Sequence, residues 1–346
     1  MSLYDAVADL PLTVERHERT RHERDTSSDF TRVSTTFALS GAGATGRGED
    51  VTYDAPDHDA LAAAAPDFAA FEGEWTLDEF SRALDDVTLV PEPPERETAH
   101  HYRRWAVESA ALDLACRQAG RTLGEVLDRE YDPVRFVVST RLGDAGFDRI
   151  ERLLDLNPEV EFKLDPTDDW DAALVGRLVA TGRVRVLDLK GLYEGTDVDT
   201  TPDPDRYRLV VESFPDAVVE DPRLNEATRP VLDGHEDRVA WDYPITGVES
   251  VEALPFAPSW LNIKPSRFGT VRSLFDTLDY ATEHDIALYG GGQFELGVGR
   301  DQIQALASLC YPTGPNDVAP GGYNDPDPAP DLPRSPLDPP VGFGPR

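Results

Sequence analysis

Lysine is almost missing from this chain. Of its 33 basic residues only Lys163, Lys190 and Lys264 are lysines; the rest are arginines. Cysteine is as scarce. Cys116 and Cys310 alone make neither a disulfide framework nor a four-ligand zinc site, which points to a reducing compartment. No apolar run approaches the roughly 18 residues of a membrane span. The opening MSLYDAVADLPLTVE has no basic region followed by an apolar one, so neither a signal peptide nor a membrane partner is expected. Against the 33 basic residues stand 66 acidic ones, a net charge of −33 over 346 residues. A chain so acidic repels polyphosphate, which excludes nucleic acid as a partner.

Acidic composition can mean disorder. Here 40% of residues are hydrophobic and they recur in periodic blocks, so the chain is expected to fold. The exchange of lysine for acid and arginine resembles proteins of salt-loving archaea. In about 1 M salt the Debye length falls to about 3 Å, and self-repulsion then costs little. The expected location is a high-salt cytoplasm. Most carboxylates then belong to a solvated surface, and one needs a special position before it becomes a functional candidate.

Residues 10–55 read as a three-strand meander with turns near Asp25–Asp29 and Gly41–Gly48, and residues 56–128 read as helical. From about 133, short β-rich runs such as VRVLDLKG, AVVEDP and WLNIKPS alternate with amphipathic stretches such as FDRIERLLDL and TVRSLFDTLDYATEHD. That alternation means a parallel sheet. The polar residues ending consecutive runs are Lys163, Asp188, Glu220, Asp242 and Lys264, spaced by 25, 32, 22 and 22 residues, about one βα unit each. Seven or eight such units close into a barrel, with NDVAP as the candidate eighth strand. Residues 312–346 hold 11 of the 29 prolines, so an extended tail is expected, in part packed across the barrel, with its last residues disordered.

All three lysines end a predicted strand, where arginine would have served for charge alone. A lysine can lose its proton when desolvated or set beside another cation, as a general base near neutral pH requires. The plainer reading is three lysines bridging carboxylates at the barrel mouth. Asp188, Glu220 and Asp242 end three successive strands, whose C-terminal ends converge on one mouth. Three carboxylates there would repel one another without a cation between them, and an all-oxygen set suits Mg²⁺, with Mn²⁺ as the alternative.

This order of residues resembles the enolase superfamily, in its mandelate racemase and muconate lactonizing branch, over nearly the whole chain to about residue 320. GRGED is similar to the family's Gly-x-Gly-Glu strand, and WAVESAALDLACRQAGRTLGEVL to its Ala-x-Glu-x-Ala-x-x-Asp helix. LNIKPSRFGTV is similar to the sixth-strand Lys-Pro-x-Arg-x-Gly. The resemblance implies an α/β fold, a (β/α)7β TIM-like barrel (129–320) with an N-terminal α+β capping domain (1–128) and a Pro-rich tail (321–346). It implies Asp188, Glu220 and Asp242 as metal ligands and Lys163 and Lys264 as catalytic lysines, with Lys190 a third catalytic candidate that lies outside the family pattern. A small carboxylic acid would lose the proton α to its carboxylate through a metal-stabilised enediolate, followed by racemisation, dehydration or cycloisomerisation. Barrels of this family often associate, so a homo-oligomer is expected.

The departures define the remaining candidates. Where the branch has Lys-x-Lys this chain has Lys163-Leu164-Asp165, and where it has Asp-x-Asn the chain has Asp188-Leu189-Lys190. A lysine is lost on one strand and gained on the next, so Lys190 is a candidate to relocate the lost charge or base. The fifth-strand Asp-Glu is Asp242-Tyr243, and the seventh strand brings Gln293 and Glu295 to the mouth or just beyond it. Asp165, Tyr243, Gln293 and Glu295 are the candidate substrate contacts, joined by the loop from Arg21 to Thr31. These departures leave room for a non-catalytic member of the fold that binds a ligand or partner. Gly41-Ala-Gly43-Ala-Thr-Gly46 matches G-x-G-x-x-G, but acidic, turn-rich sequence follows instead of a helix, so a flexible hairpin is expected.

Overall fold

The computed structural model describes residues 2–26, 30–64, 69–142, 146–193, 200–340 and 342–345. The N-terminal part contains α1 (Leu3–Ala8), β1 (Pro11–Val14), β2 (Arg16–Asp25), β3 (Thr31–Gly41), β4 (Ala44–Asp50), α2 (Ala55–Ala64), β5 (Gly73–Thr76), α3 (Leu77–Ala83), α4 (Thr98–Gln118) and α5 (Leu123–Leu127). β2, β3 and β4 form the expected antiparallel meander. Its first strand breaks at Glu15, and β1 leaves to pair antiparallel with β5. Gly73–Thr76 is thus a strand inside a stretch whose sequence reads as helical. Four residues are too few to imprint a period of two, and their partner is distant in sequence.

The turn after β3 is tighter than Gly41–Gly48, because β4 already begins at Ala44. A Cβ on Gly46 would stand 2.2 Å from the Leu114 nitrogen, and one on Gly48 2.1 Å from the Ala106 carbonyl oxygen. These glycines let the cap sheet lie directly on α4. The glycine-rich hairpin is therefore clamped rather than flexible.

The barrel part alternates β6 (Val138–Thr140), α6 (Asp148–Leu156), β7 (Phe162–Leu164), α7 (Ala172–Thr181), β8 (Val184–Asp188), α8 (Pro204–Ser213), β9 (Val218–Glu220), α9 (Arg229–Leu232), β10 (Val239–Trp241), α10 (Val248–Glu252) and β11 (Trp260–Ile263). α11 (Pro265–Phe268), α12 (Val271–Glu283), β12 (Ala287–Gly290) and α13 (Val298–Cys310) complete it. α7 shows how locally the helices are specified: the Asp171 side chain accepts from the Leu174 N–H at the start, and Gly182 ends it in the left-handed conformation. Among the described residues the seven barrel strands pair in order from β6 to β12, every neighbour parallel. Asn316 bridges to Phe136 and Asp317 to Gly291, both parallel. The eighth strand is reduced to these two residues, which span the gap between β6 and β12.

Cap and barrel are joined through the two cap motifs. Glu49, at the end of the GRGED strand, accepts the N–H groups of Leu296 at 2.7 Å and Gly299 at 2.8 Å, and of Gly297 through both of its oxygens. It therefore caps α13, whose own N-cap residue, Gly297, has no side chain to offer. Glu108 of α4 accepts the Val271 N–H at the start of α12, at 2.8 Å. Asp113, further along α4, takes the Arg47 N–H at 3.0 Å and the Gly344 N–H at 2.7 Å.

The last of these contacts belongs to the tail, whose end is not loose. Leu337 forms an antiparallel bridge with Val134, Leu123 donates its N–H to the Phe343 carbonyl at 2.9 Å, and the Phe343 ring is 2% exposed. The expected disorder of the last residues does not hold through Gly344. Proline removed regular structure, but two apolar anchors were enough to fix the path.

Candidate metal centre

Parallel register sets Asp188 directly beside Glu220, with Asp242 one residue past the end of β10. The three carboxylates are fully buried, and one ligand oxygen from each lies within 4.8 Å of the others. Val186, Val218 and Ala240, two residues before each acid on the same strand face, form a small interior cluster with Tyr289, and the acids follow at the C-terminal end.

All three lysines reach this cluster. Lys163 Nζ is 2.5 Å from Glu220 Oε1, 3.5 Å from Asp188 Oδ2 and 3.8 Å from Asp317 Oδ2. Lys264 Nζ is 2.8 Å from Asp242 Oδ2. Lys190, two residues past Asp188, has φ +51° and turns back on that carboxylate: its N–H donates to Oδ1 at 3.1 Å and its Nζ to Oδ2. Gly191 follows because a Cβ there would stand 2.4 Å from the Arg223 nitrogen.

Several residues of this cluster escaped the sequence reading. Arg267 Nη1 donates to Asp242 Oδ1 at 2.9 Å, and its Nη2 to the Tyr193 hydroxyl, which donates in turn to Asp242 Oδ2 at 3.0 Å. Glu220 Oε2 accepts from the Tyr289 hydroxyl and from Asn262 Nδ2 at 3.2 Å. Asp221 accepts the N–H groups of Asp242 and Tyr243, both at 2.8 Å, and so fixes the backbone that carries the third acid. Arg267 had a visible signal in the Lys-Pro-x-Arg-x-Gly run, and Asp221 in its place beside Glu220.

The other candidates are spread around the mouth. Asp165 Oδ1 is 3.9 Å from Lys190 Nζ and has no hydrogen-bond partner. Tyr243 is 37% exposed, its ring centroid 4.5 Å from that of Tyr193. Gln293 is held by two cap tyrosines, accepting from Tyr53 at 2.8 Å and donating to Tyr102 at 3.2 Å. Glu295 accepts the Gln293 N–H at 2.6 Å and pairs with Arg300 at 3.0 Å. In the Arg21–Thr31 segment, Arg21 pairs with Glu23 and Asp59; residues 27–29 lie outside the described residues.

Burial opposes ionisation of Asp188, yet Lys190 and Lys163 hold its carboxyl below the usual carboxylate range. Burial acts likewise on Asp242 and is outweighed by Arg267 and Lys264. Glu220 goes the other way: burial and the charge of Asp188 push its carboxyl well above that range despite Lys163. Asp221 is pushed up to about 7 by burial and by Asp242 and Asp188. Lys163 and Lys190 lose stability by burial, but the carboxylates around them hold both ammonium groups well above the ordinary lysine value. Three carboxylates whose oxygens lie within 4.8 Å of one another form an all-oxygen donor set, and the residues present fit a divalent cation that prefers oxygen.

A family profile described as "Domain of unknown function (DUF8230) C-terminal domain" matches residues 130–325, and the corresponding N-terminal domain profile matches residues 5–126. The o-succinylbenzoate synthase of Bacillus subtilis (strain 168) is 24% identical over 245 residues, 69% of this chain and 64% of that protein. The match thus stops short of two thirds of the relative's length. Dipeptide epimerase from Methylococcus capsulatus, solved with a Mg ion, superposes with a TM-score of 0.71 at 19% identity, covering 96% of this chain and 99% of its own. An enolase superfamily member from Listeria innocua Clip11262 gives 0.69 at 17%, covering 90% and 86%. Muconate lactonizing enzyme from Pseudomonas putida gives 0.63 at 20%, covering 88% of each chain. At these identities the structural likeness establishes the fold.

Proposed function

The chain belongs to the DUF8230 family and has the fold of the enolase superfamily, and from that premise we propose that it removes the proton α to the carboxylate of a small carboxylic acid, aided by Mg²⁺. The observation that carries this reading is the buried triad on consecutive strands, its oxygens within 4.8 Å of one another. Asp188, Glu220 and Asp242 would hold the cation, with Mn²⁺ a chemically equivalent occupant. When bound, it supplies positive charge for the negative charge that develops on the substrate carboxylate as the α-proton leaves.

The lysines divide the remaining work. Among the described residues Lys264 contacts one carboxylate, whereas Lys163 contacts three and Lys190 two. Lys264 is the base this geometry favours, with its Nζ taking the proton from the substrate α-carbon. Lys163 and Lys190, kept charged, attract the substrate carboxylate. Asp165 and Tyr243 at the mouth, with Gln293 and Glu295 in the loop after β12, would shape the rest of the substrate's site. Racemisation, dehydration or cycloisomerisation then depends on which group next meets the carbanion. The net charge of −33 suits work in concentrated salt, and no described helix is long and apolar enough to cross a membrane.

A ligand-binding protein without catalysis is the second reading. It is favoured by one observation: each carboxylate of the triad is already matched by lysine or arginine. Thermal unfolding in multimolar KCl, with MgCl2 against EDTA, separates the two when wild type and Glu220→Gln are compared. At 100 times Kd a specific cation adds about 2.7 kcal/mol. A shift in wild type that the variant loses, followed by deuterium wash-in to the α-carbon of an acid from a carboxylic acid library, supports the enzyme. No Mg²⁺ shift in either protein, or binding with no wash-in across the library, favours the second reading.

A further inference from the structure

Lys190 holds both oxygens of Asp188, with its backbone N–H at Oδ1 and its ammonium at Oδ2, and Lys163 Nζ lies a further 3.5 Å from Oδ2. A cation ligated by Asp188 and that ammonium compete for the same oxygen, and like charge drives them apart. The other two lysines are less able to yield. Lys163 is the common partner of Glu220, Asp188 and Asp317, and Lys264 is bound at 2.8 Å to Asp242 on the far side of the cluster.

A place for the displaced ammonium is already present. Asp165 Oδ1 is buried, has no hydrogen-bond partner, and lies 3.9 Å from Lys190 Nζ. A movement of about 1 Å brings that pair to the length of a charge-assisted hydrogen bond, about 2.8 Å. The Tyr193 ring, with its centroid 5.0 Å from Nζ, offers its face beside the path.

We propose that Asp165 is a positioning residue for Lys190: it receives the Lys190 ammonium when a divalent cation is ligated by Asp188, and so keeps a positive charge at the mouth without setting it against the metal. The inference rests on the metal reading of the triad. It accounts for two departures in the sequence as one exchange. A lysine moved to position 190 lies against a metal ligand, and the aspartate at 165 gives it somewhere else to go. Without Asp165, Lys190 would have only Asp188, the ligand it competes for.

The test uses the full chain, MgCl2 as the only ligand, and calorimetric Kd values for wild type, Asp165→Asn, Lys190→Met and the double variant. Lys190→Met is expected to tighten Mg²⁺ by removing the competitor. Asp165→Asn is expected to weaken it about tenfold in the Lys190 background, and less than threefold in the Met background. If Asp165→Asn weakens binding by the same factor in both backgrounds, Asp165 acts only as a distant negative charge and the proposal is overturned. It is overturned as well if Lys190→Met leaves affinity unchanged or lowers it. Asp165→Ser repeats the cycle should the asparagine variant fail to fold. Because the chain has only three lysines, side-chain labelling with [ε-¹³C]lysine adds a direct readout. The signal absent from Lys190→Met should move on Mg²⁺ addition in wild type and move differently in Asp165→Asn. Binding of Mg²⁺ with additive effects sinks this inference alone; no Mg²⁺ binding to any of the four proteins sinks the metal reading with it.

Discussion

Replacing Glu49 by glutamine should cost this protein about 3 kcal/mol of stability. The carboxylate is 1% exposed and takes the N–H groups of Leu296, Gly297 and Gly299, together with the Ser34 hydroxyl at 2.6 Å. Glutamine keeps the shape and one acceptor oxygen. Its amide nitrogen would then face N–H donors at the start of α13 and leave at least one of them without a partner. Hydrogen bonds to a charged group contribute about 1.5–3 kcal/mol each, and a negative charge at a partly buried helix N-terminus up to about 2 kcal/mol. Relaxation returns part of this, which leaves about 3 kcal/mol. At about 1.4 °C per kcal/mol for a chain of this size, the expected fall in Tm is about 4 °C. Calorimetry at fixed KCl measures it, with Glu74→Gln, an exposed acid, as the control. Hydrogen exchange locates it: the Gly297 and Gly299 amides should exchange faster than those in the middle of α13. A Glu49→Gln protein that melts within 1 °C of wild type, with unchanged exchange at those amides, would refute the claim that the cap supplies this helix's N-terminal partner.

Asp50 tests the cap interior by pH. Burial opposes its ionisation, but Arg103, at 2.8 Å, and His58 hold the carboxyl below the usual range. A depressed acid contributes stability above its unfolded value and loses it as pH falls through the folded one. The gap in Tm between wild type and Asp50→Asn should therefore be widest at neutral pH and shrink below about pH 4; an equal gap at every pH would contradict it. Cys116 is fully buried, and burial pushes its thiol up to about 12. About one molecule in 10⁴ is then a thiolate at pH 8, so iodoacetamide should spare Cys116 in the folded protein and label it in guanidinium chloride, whereas rapid labelling of the native chain would count against this packing. Phe343→Ala should destabilise the chain by about 3 kcal/mol, read as a lowered Tm; an unchanged melt would mean that the tail anchor is idle.

The triad was legible because each of Asp188, Glu220 and Asp242 follows directly on buried strand residues, a place where a solvated surface acid does not fall. The barrel was legible for a related reason, since strands covered on both faces read as apolar runs separated by amphipathic helices. What stayed hidden lacked a period or a run. β5 is four residues and the eighth strand two, too short for any alternation to show. Tyr193 and Tyr289 reach the triad through their hydroxyls, and an isolated tyrosine after or within a strand reads as packing. Asp221 was masked by Glu220: it lies one residue past the end of β9 with φ +47°, a backbone turn that no sequence period announces. Lysines bridging carboxylates, the plainer reading of Lys163, Lys190 and Lys264, describes their contacts accurately.

The bonds between cap and barrel also bear on how the chain comes to be folded. Glu108 finds its partner 163 residues later, and Glu49 finds its last one 250 residues later. The strand that finishes α13 thus leaves a ribosome some 250 residues before the helix it finishes. Contacts of such long range slow folding, because loop closure must be met before they reward it. Until α12 and α13 arrive, Glu49 and Glu108 lack the N–H donors of those helices, and an incomplete barrel exposes strand edges that favour association. In dilute salt a net charge of −33 repels neighbouring chains during that interval, whereas at about 1 M salt the repulsion is screened beyond about 3 Å. Refolding at low salt therefore sets solubility of the intermediate against the speed of cap and barrel assembly.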